Sequence, residues 1–236
     1  MRPQRTKACS HFIPNIVMSD IAGDAWARQS VIDTALDLTR TGLSPQQSGN
    51  VSMRMGKGML ITPTGMSYED LLPDDIVYVS LEGDVPSGQR LPSSEWHMHA
   101  AIYAARVDAQ AIVHAHSDYA VSLAVMERSI PPFHYMVALL GGRDIRCAPY
   151  ATFGTPELAA HAVVALEDRK ACLLAHHGQI ALGGDLAEAL KFAHEVETLS
   201  GQYWRALQIG QPPLLSDEEM LRVAEKFRGY GQRPGR

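Results

Sequence analysis

Apolar residues recur with two different periods along the chain, and each period predicts one kind of element. Over residues 24–39 they return every three to five positions, which predicts an amphipathic helix that Gly42 is placed to end. From residue 48 the period falls to two, which predicts a hairpin with strands at 50–54 and 59–62. The chain therefore passes early from helix to sheet.

Strands and helices continue to alternate after this hairpin. Apolar runs predict strands at 76–79, 111–116 and 171–175, with 180–182 continuing the last of them. Further helices are predicted at five places, the first capped by serine and the third by Thr155: 96–106, 119–128, 156–168, 186–207 and 217–227. Residues 130–155 mix short strands with turns. Interleaved elements without a linker indicate one α/β domain over residues 19–236, preceded by a loosely ordered extension at 1–18.

Composition and charge narrow the class of protein. The 236 residues carry 21 Lys and Arg against 26 Asp and Glu, and the net charge of −5 disfavours a non-specific nucleic-acid binder. Apolar residues make up 46%, as in globular domains, yet no apolar run is long enough to cross a membrane. Three widely separated cysteines form neither a CxxC pair nor a disulfide framework, which favours a cytoplasmic protein.

The ten histidines carry the strongest chemical signal. His114 and His116 are two apart on a predicted strand, so their side chains share a face and can converge on one divalent cation. His176 or His177 offers a third ligand at the end of another strand. Since adjacent strand residues point to opposite faces, only one of these two is expected to bind. Chance pairing among ten histidines is the competing interpretation, and it is weakened because sites in α/β proteins gather at strand ends.

Three turns of small polar residues are candidates for anion binding. Ser93-Ser94-Glu95 precedes a predicted helix, whose first N–H groups can hold a phosphate. On this motif alone, capping of the helix is the stronger interpretation. The turns at 48–50 and 62–65 are each ordinary hairpin chemistry, but the three together favour an anionic substrate.

Glu95 has three roles open to it: metal ligand, general base or neither. A nearby cation favours the charged carboxylate, while burial favours the neutral form. A base that takes a proton from carbon also needs a metal to stabilise the enolate. His97 and His99 follow on the same predicted helix and are expected to pack or to support the site rather than to bind the metal.

Seven runs of residues occur in an order that resembles the class II aldolase/adducin family over about residues 20–231. They are SGNVS at 48–52, ITPTG at 61–65, LPSSEW at 91–96, VHAH at 113–116, IPPFHYM at 130–136, APYATFGT at 148–155 and LAHHG at 174–178. Any one run is common, whereas the ordered set is specific. The resemblance implies a central, mainly antiparallel sheet flanked by helices, in a homotetramer with active sites between subunits.

The resemblance also assigns roles to matching positions. His114, His116 and His177 match the ligands of a Zn²⁺ ion, and Glu95 matches a carboxylate that binds the resting metal and acts as acid and base. Tyr135 matches a tyrosine from the neighbouring subunit that protonates the aldehyde oxygen. Positions that bind phosphate or line the pocket match Asn50, Thr64, Gly65, Ser93, Ser94, Phe153 and Tyr230, the last on a mobile C-terminal tail.

The activity that the resemblance implies is that of a lyase. Such an aldolase cleaves a ketose 1-phosphate reversibly to dihydroxyacetone phosphate and a small aldehyde. L-Fuculose 1-phosphate is the first candidate substrate, and a 5-deoxy- or 5-methylthio-ribulose 1-phosphate is the second. Co²⁺ or Mn²⁺ can replace Zn²⁺ at such ligands.

Two alternatives accompany this interpretation. One is another reaction of the family, by an epimerase, decarboxylase or dehydratase, against which Glu95 and Tyr135 favour the aldolase. The other is a non-catalytic, adducin-like interaction domain, which the three retained imidazoles argue against. Gln47 stands where the family usually has a small residue, and this departure leaves the sugar open.

Overall fold

The computed structural model describes residues 18–229, with side chains from residue 24 onward. The helices within this range are α1 (Met18–Arg40), α2 (Trp96–Ala105), α3 (Asp118–Ala124), α4 (Pro156–Ala165), α5 (Leu186–Ile209) and α6 (Asp217–Arg228). The strands are β1 (Asn50–Met55), β2 (Gly58–Ile61), β3 (Val77–Ser80), β4 (Ala111–Ala115), β5 (Cys147–Ala148), β6 (Ala171–Leu174) and β7 (Gly178–Gly183). Short 3₁₀ helices occur at Tyr68–Asp70, Pro73–Asp75 and Tyr135–Leu140. The predicted extension before Met18, and Tyr230, lie outside the described residues.

The strands form one sheet with the order β3-β2-β1-β4-β7-β6-β5. Every neighbouring pair is antiparallel except β5 and β6, which are parallel. The expected central, mainly antiparallel sheet flanked by helices is therefore confirmed. β1, β4 and β7 lie side by side in its middle, although they are far apart in the sequence.

Helices cover both faces of the sheet. α1, α3 and α5 pack on one face, where the core includes Val51 and Val113. α2 and α4 pack on the other face, where the core includes Ile112 and Ile180. Because side chains alternate along a strand, the even-numbered residues of β1 and β4 face α2. Within the described residues, no helix combines the length and the apolar character needed to cross a bilayer.

Two local predictions are wrong. Residues 180–182 do not continue the strand before them, because the chain reverses at 175–177 and β7 pairs antiparallel with β6. His176 makes this reversal by adopting a left-handed backbone with φ of 54°, which no hydrophobic pattern reveals. The serine cap before α2 is also absent: Glu95 occupies the N-cap without a side-chain cap bond, and Ser93 Oγ accepts the Glu95 N–H at 3.3 Å.

The start of α4 and the end of α3 can also be compared with the predictions. The predicted cap of α4 is confirmed, since Thr155 Oγ1 accepts the N–H of Leu158 at 3.3 Å. α3 ends at Ala124, four residues earlier than predicted, and the chain then turns through Glu127 with a positive φ of 50°.

Candidate active site

The register of the central strands brings distant residues to one edge of the sheet. Asn50 at the start of β1 lies opposite His114 near the end of β4, and His114 lies opposite Ile180 of β7. The strands are antiparallel, so β1 and β7 both begin where β4 ends. His116 just after β4 and His177 just before β7 therefore meet at this edge.

Three imidazoles surround one point there. The ring centroids of His114, His116 and His177 are separated by 4.7, 4.8 and 4.9 Å, and each pair of rings is inclined by 76–77°. The arrangement is close to threefold symmetric. His176 is not a member of the cluster: its Nε2 lies 3.2 Å from Glu127 Oε1, and its side chain is half-exposed.

Glu95 brings a carboxylate to the same point from the start of α2. Its Oε2 lies 3.1 Å from His114 Nε2, and its Oε1 lies 3.2 Å from His177 Nε2. The ligand atoms of Glu95 and the three histidines all lie within 4.8 Å of one another. The four side chains thus have the spacing of a metal site.

The hydrogen bonds of these groups fit a cation. His114 Nδ1 donates to the carbonyl oxygen of Gln179 at 2.8 Å, so its Nε2 presents a lone pair to the cluster. His116 Nε2 lies only 2.9 Å from that atom. Glu95 Oε1 is buried and has no hydrogen-bond partner among the described residues. A divalent cation would satisfy these lone pairs and the carboxylate together.

The electrostatics favour the metal-binding forms of His116, His177 and Glu95, whereas Glu95 outweighs burial at His114 and raises its pKa. Burial lowers the pKa of His116 to about 3 and that of His177 to about 4, and the neighbouring His114 acts in the same direction. Burial raises the pKa of Glu95, but His114, His177 and the Asn50 amide outweigh it and hold that pKa well below its usual range. Neutral imidazoles and a charged carboxylate are the forms that bind a metal.

The three polar turns predicted to bind an anion lie together. The N–H of Ser93 donates to Thr62 O at 3.0 Å, and the N–H of Thr64 donates to Leu91 O at 3.1 Å. Thr62 Oγ1 in turn accepts the N–H of Val51 at 3.3 Å. The turns enclose a cavity of about 340 Å³ lined by, among others, Ser48, Gly49, Asn50, Thr64, Gly65, Ser93, Ser94 and Glu95.

This cavity offers neutral donors to an anion. Its lining within the described residues is composed mostly of hydroxyl, amide and glycine residues, together with Pro63 and Met66, with Glu95 at one side and neither lysine nor arginine. Glycine and serine turns of this kind present backbone N–H groups and hydroxyls to phosphate oxygens. The cavity is therefore suited to a phosphate group held by hydrogen bonds.

A second cavity, of about 330 Å³, adjoins the first at the metal cluster. The two share Ser48, Ser94 and Glu95 in their walls. The second is also lined by His116, His177, Tyr150 and Phe153. A ligand with a phosphate at one end thus reaches the metal cluster with its middle and the aromatic wall with its other end.

Tyr135 lies away from both cavities within one chain. It is half-exposed, its ring stacks at 6.3 Å on Phe227 of α6, and it lines a separate cavity of about 690 Å³. Its predicted role requires that it enter the site of a neighbouring subunit. Tyr230 lies outside the described residues.

Two supporting residues were not given specific roles by the sequence. His99 is fully buried and its Nε2 lies 2.6 Å from Asn50 Oδ1, while burial lowers its pKa to about 3. Gln47 adopts a positive φ of 55°, accepts the N–H of Tyr68 at 2.8 Å and donates to Glu69 Oε2 at 2.6 Å. It thereby ties two turns of the anion cavity together. No signal in the sequence indicates the contact of His99 with Asn50, because it depends on which face of α2 lies over β1.

A mainly antiparallel sheet thus carries three histidines and a carboxylate beside a cavity of neutral hydrogen-bond donors, an arrangement suited to a metal ion and an anionic ligand. The chain belongs to the class II aldolase and adducin family: the profile described as "Class II Aldolase and Adducin N-terminal domain" matches residues 29–204.

Individual relatives agree with this family. A 5-methylthioribulose-1-phosphate/5-deoxyribulose-1-phosphate aldolase from Rhodospirillum rubrum is 53% identical over 204 residues, which cover 86% of this chain and 92% of the relative. The L-fuculose phosphate aldolase of Escherichia coli strain K12 is 52% identical over 208 residues, covering 88% and 96%. A solved structure of an L-fuculose 1-phosphate aldolase superimposes with a TM-score of 0.84 at 42% identity, covering 86% and 97%.

Proposed function

We propose that this protein is a metal-dependent aldolase that cleaves a ketose 1-phosphate reversibly to dihydroxyacetone phosphate and a small aldehyde. The observation that carries the proposal is the position of Glu95. Its carboxylate belongs to the three-histidine cluster and at the same time lines the cavity of phosphate donors. An acid–base group thus stands between a Lewis-acid site and the pocket that would hold the phosphate end of the sugar.

In this proposal each group of residues in the site has a separate role in the reaction. When bound by His114, His116, His177 and Glu95, a divalent cation supplies Lewis-acid stabilisation of negative charge on substrate oxygens. Asn50, Thr64, Gly65, Ser93 and Ser94 hold the phosphate through neutral donors. Glu95 gives a proton to the C3 carbon after the bond between C3 and C4 breaks, and it removes that proton in the synthetic direction. Phe153, which lines the second cavity, flanks the aldehyde end, and the family resemblance assigns Tyr230 to the same part of the site.

Zn²⁺ is the metal that the ligand set favours. Three neutral imidazoles and one carboxylate suit zinc, and Co²⁺ or Mn²⁺ can occupy the same ligands. Metal analysis of the gently purified protein should give about one ion per chain, with zinc the most abundant. A content far below one would favour a non-catalytic role instead.

Two kinds of substrate are supported by the relatives: one relative is named for L-fuculose phosphate and the other for 5-methylthio- and 5-deoxyribulose 1-phosphates. The decisive experiment is a retro-aldol assay of the metal-loaded protein with each sugar, coupled to detection of dihydroxyacetone phosphate and identification of the aldehyde. Product from either sugar supports the proposal and ranks the substrates. No product from either, at full metal occupancy, contradicts it.

The homotetramer with shared active sites is proposed on the placement of Tyr135, which lines no cavity of the metal cluster in its own chain. A mixing experiment tests it. Tyr135→Phe and His116→Ala variants are each expected to be nearly inactive, whereas hybrids unfolded and refolded together should regain part of the activity. Recovery is expected because some sites then receive an intact tyrosine from one chain and an intact cluster from another. Absence of recovery in mixed oligomers would place Tyr135 in the site of its own chain and contradict the shared active site.

A further inference from the structure

A buried chain of hydrogen bonds runs from Glu95 through β1 to α2. Asn50 Nδ2 lies 2.9 Å from Glu95 Oε2, and Asn50 Oδ1 lies 2.6 Å from His99 Nε2. The other ring nitrogen, His99 Nδ1, lies 2.7 Å from Ser52 Oγ, which lies 2.9 Å from the Tyr103 hydroxyl. None of the five residues is more than 5% exposed, so bulk water does not compete for these bonds.

The ionised carboxylate of Glu95, at one end of the chain of bonds, fixes the direction of every hydrogen bond. An ionised carboxylate only accepts, so the amide group that faces Glu95 is the NH₂ of Asn50, and its oxygen faces His99. That oxygen also only accepts, so His99 carries its proton on Nε2. A neutral imidazole then accepts at Nδ1.

The remaining bonds follow from the tautomer of the imidazole. Ser52 must donate its hydroxyl proton to His99 Nδ1, and its oxygen then accepts from Tyr103. All four bonds therefore point toward the carboxylate, from Tyr103 to Glu95.

This direction makes the two oxygens of Glu95 unequal. Oε2 accepts a hydrogen bond from the Asn50 amide, whose other end lies against His99. Oε1 has no hydrogen bond among the described residues and lies 3.2 Å from His177 Nε2 within the candidate metal cluster. If the amide of Asn50 turned over, its oxygen would face Oε2, and two acceptors would confront each other without water between them.

We propose that His99 is a positioning residue that locks the Asn50 amide and thereby holds the Glu95 carboxylate in one orientation through its Oε2. The inference rests on the aldolase function proposed above. In the cleavage direction the O–H bond of the Glu95 carboxyl group breaks, and the electron pair of the enediolate carbon forms the new C–H bond. In the synthetic direction that C–H bond breaks and the Glu95 carboxylate takes the proton.

The first test needs no variant and no substrate. Histidine labelled with ¹⁵N allows the tautomer of each ring to be read from long-range ¹H–¹⁵N correlations at neutral pH. We expect His99 to be neutral, protonated at Nε2 and unprotonated at Nδ1, with its signal assigned by its loss in a His99→Gln variant. A proton on Nδ1 would reverse the chain and overturn the proposal, whether or not the protein proves to be an aldolase.

The second test compares two variants of His99. His99→Gln keeps an N–H that can reach Asn50 Oδ1, whereas His99→Leu fills a similar volume without a donor. We expect His99→Leu to lower kcat by about tenfold or more with KM changed by less than about threefold, since acid–base catalysis is worth orders of magnitude and depends on geometry. His99→Gln should recover most of the loss, and metal content should stay unchanged in both.

His161→Gln serves as the matched control, since His161 lies on α4 and hydrogen-bonds Pro149 O outside the chain of bonds. Equal losses in His99→Gln and His99→Leu, or a loss confined to KM, would show that the donor does not matter and would overturn the proposal. Circular dichroism identifies a His99→Leu protein that fails to fold, and the tautomer measurement then decides. If the parent protein cleaves neither sugar, the aldolase function fails, while the tautomer still tests the direction of the bonds.

Discussion

Glu95 combines roles that a single substitution can separate. Glu95→Gln keeps the shape of the side chain but cannot take up a proton. We expect exchange of the C3 proton of dihydroxyacetone phosphate with solvent to fall by ~10²-fold or more, the share typical of acid–base catalysis. The three imidazoles should still retain the metal. Exchange is measured by NMR in D₂O and the metal by elemental analysis; unchanged exchange would assign the base to another residue.

Gly178 allows the β6–β7 turn to approach the metal ligands. A Cβ at this position would lie 2.7 Å from Cδ2 of His116 and 2.5 Å from the carbonyl oxygen of Ala115, both closer than real contacts allow. Gly178→Ala should therefore displace His116 and weaken metal affinity by roughly tenfold or more, the scale seen for disturbed ligand support.

Gly184→Ala is the matched control in the same region. There the nearest atom to a new Cβ is Glu188 Oε2, at 3.3 Å, which is the end of a flexible side chain. Competition with a chelator measures both affinities. Equal metal affinities for the two variants would mean that the β6–β7 turn accommodates the new Cβ without displacing His116.

At the scale of elements, Arg54 of β1 holds the end of α2. Its Nη2 donates to Tyr103 O at 2.7 Å and to Arg106 O at 3.0 Å, and its Nε donates to Ala109 O at 2.9 Å. Arg54→Met would remove the guanidinium donors from all three carbonyls, of which Arg106 O keeps the N–H of Ala109. We expect the free energy of unfolding to fall by ~1–3 kcal/mol, the cost of unsatisfied buried polar groups.

Urea unfolding of Arg54→Met and of Arg40→Met makes the comparison. The Arg40 side chain is 73% exposed and pairs with Asp37 on the surface of α1, so its loss should cost less than ~0.5 kcal/mol. A similar change in the free energy of unfolding of both variants would show that the hydrogen bonds of Arg54 do not stabilise the end of α2.

The sequence predicts regular elements well and their connections poorly. The helical repeat of apolar residues continues over the whole of α1 and α5, and apolar and polar residues alternate in β1. These patterns identify the three elements without knowledge of the fold. The reversal at 175–177 escapes because it depends on one left-handed residue, His176. β5 is only two residues long, too short to show any period.

The candidate site divides in the same way. Residue type and spacing predict that His114 and His116 bind a metal, and the family resemblance selects His177 as the third ligand. The structure places all three beside Glu95. Their roles remain predictions until tested. The contact of His99 with Asn50 could not be found from the sequence, because it depends on which face of α2 lies over β1 and on a register set by distant strands.

At the scale of the whole molecule, buried histidines make stability depend on pH. The pKa values of His99, His116 and His177 fall from 6.5 to about 3, 3 and 4, mainly through burial. His114 changes in the opposite direction, because Glu95 outweighs burial and raises its pKa. Between about pH 6.5 and 4 the unfolded chain therefore binds more protons than the folded one, and stability must rise with pH.

Urea unfolding of the metal-free protein from pH 4.5 to 7 measures this dependence. The free energy of unfolding should fall on acidification by up to ~1.4 kcal/mol per pH unit for each extra proton bound by the unfolded chain. His99→Gln should give a shallower slope, because it removes one of the three lowered groups. A profile that is flat, or that rises toward acid, would mean that these rings are protonated in the folded protein.

The order of strands in the sheet also governs when the cluster can form. Glu95, His114 and His116 leave the ribosome well before His177, and until β7 arrives one side of β4 has no partner strand. A nascent chain that ends before β6 therefore contains Glu95, His114 and His116, but it lacks both His177 and the strand β7 that pairs with β4. Capture of the ion is expected to coincide with insertion of β7 beside β4, so that a tightly retained metal marks a chain whose central strands are paired.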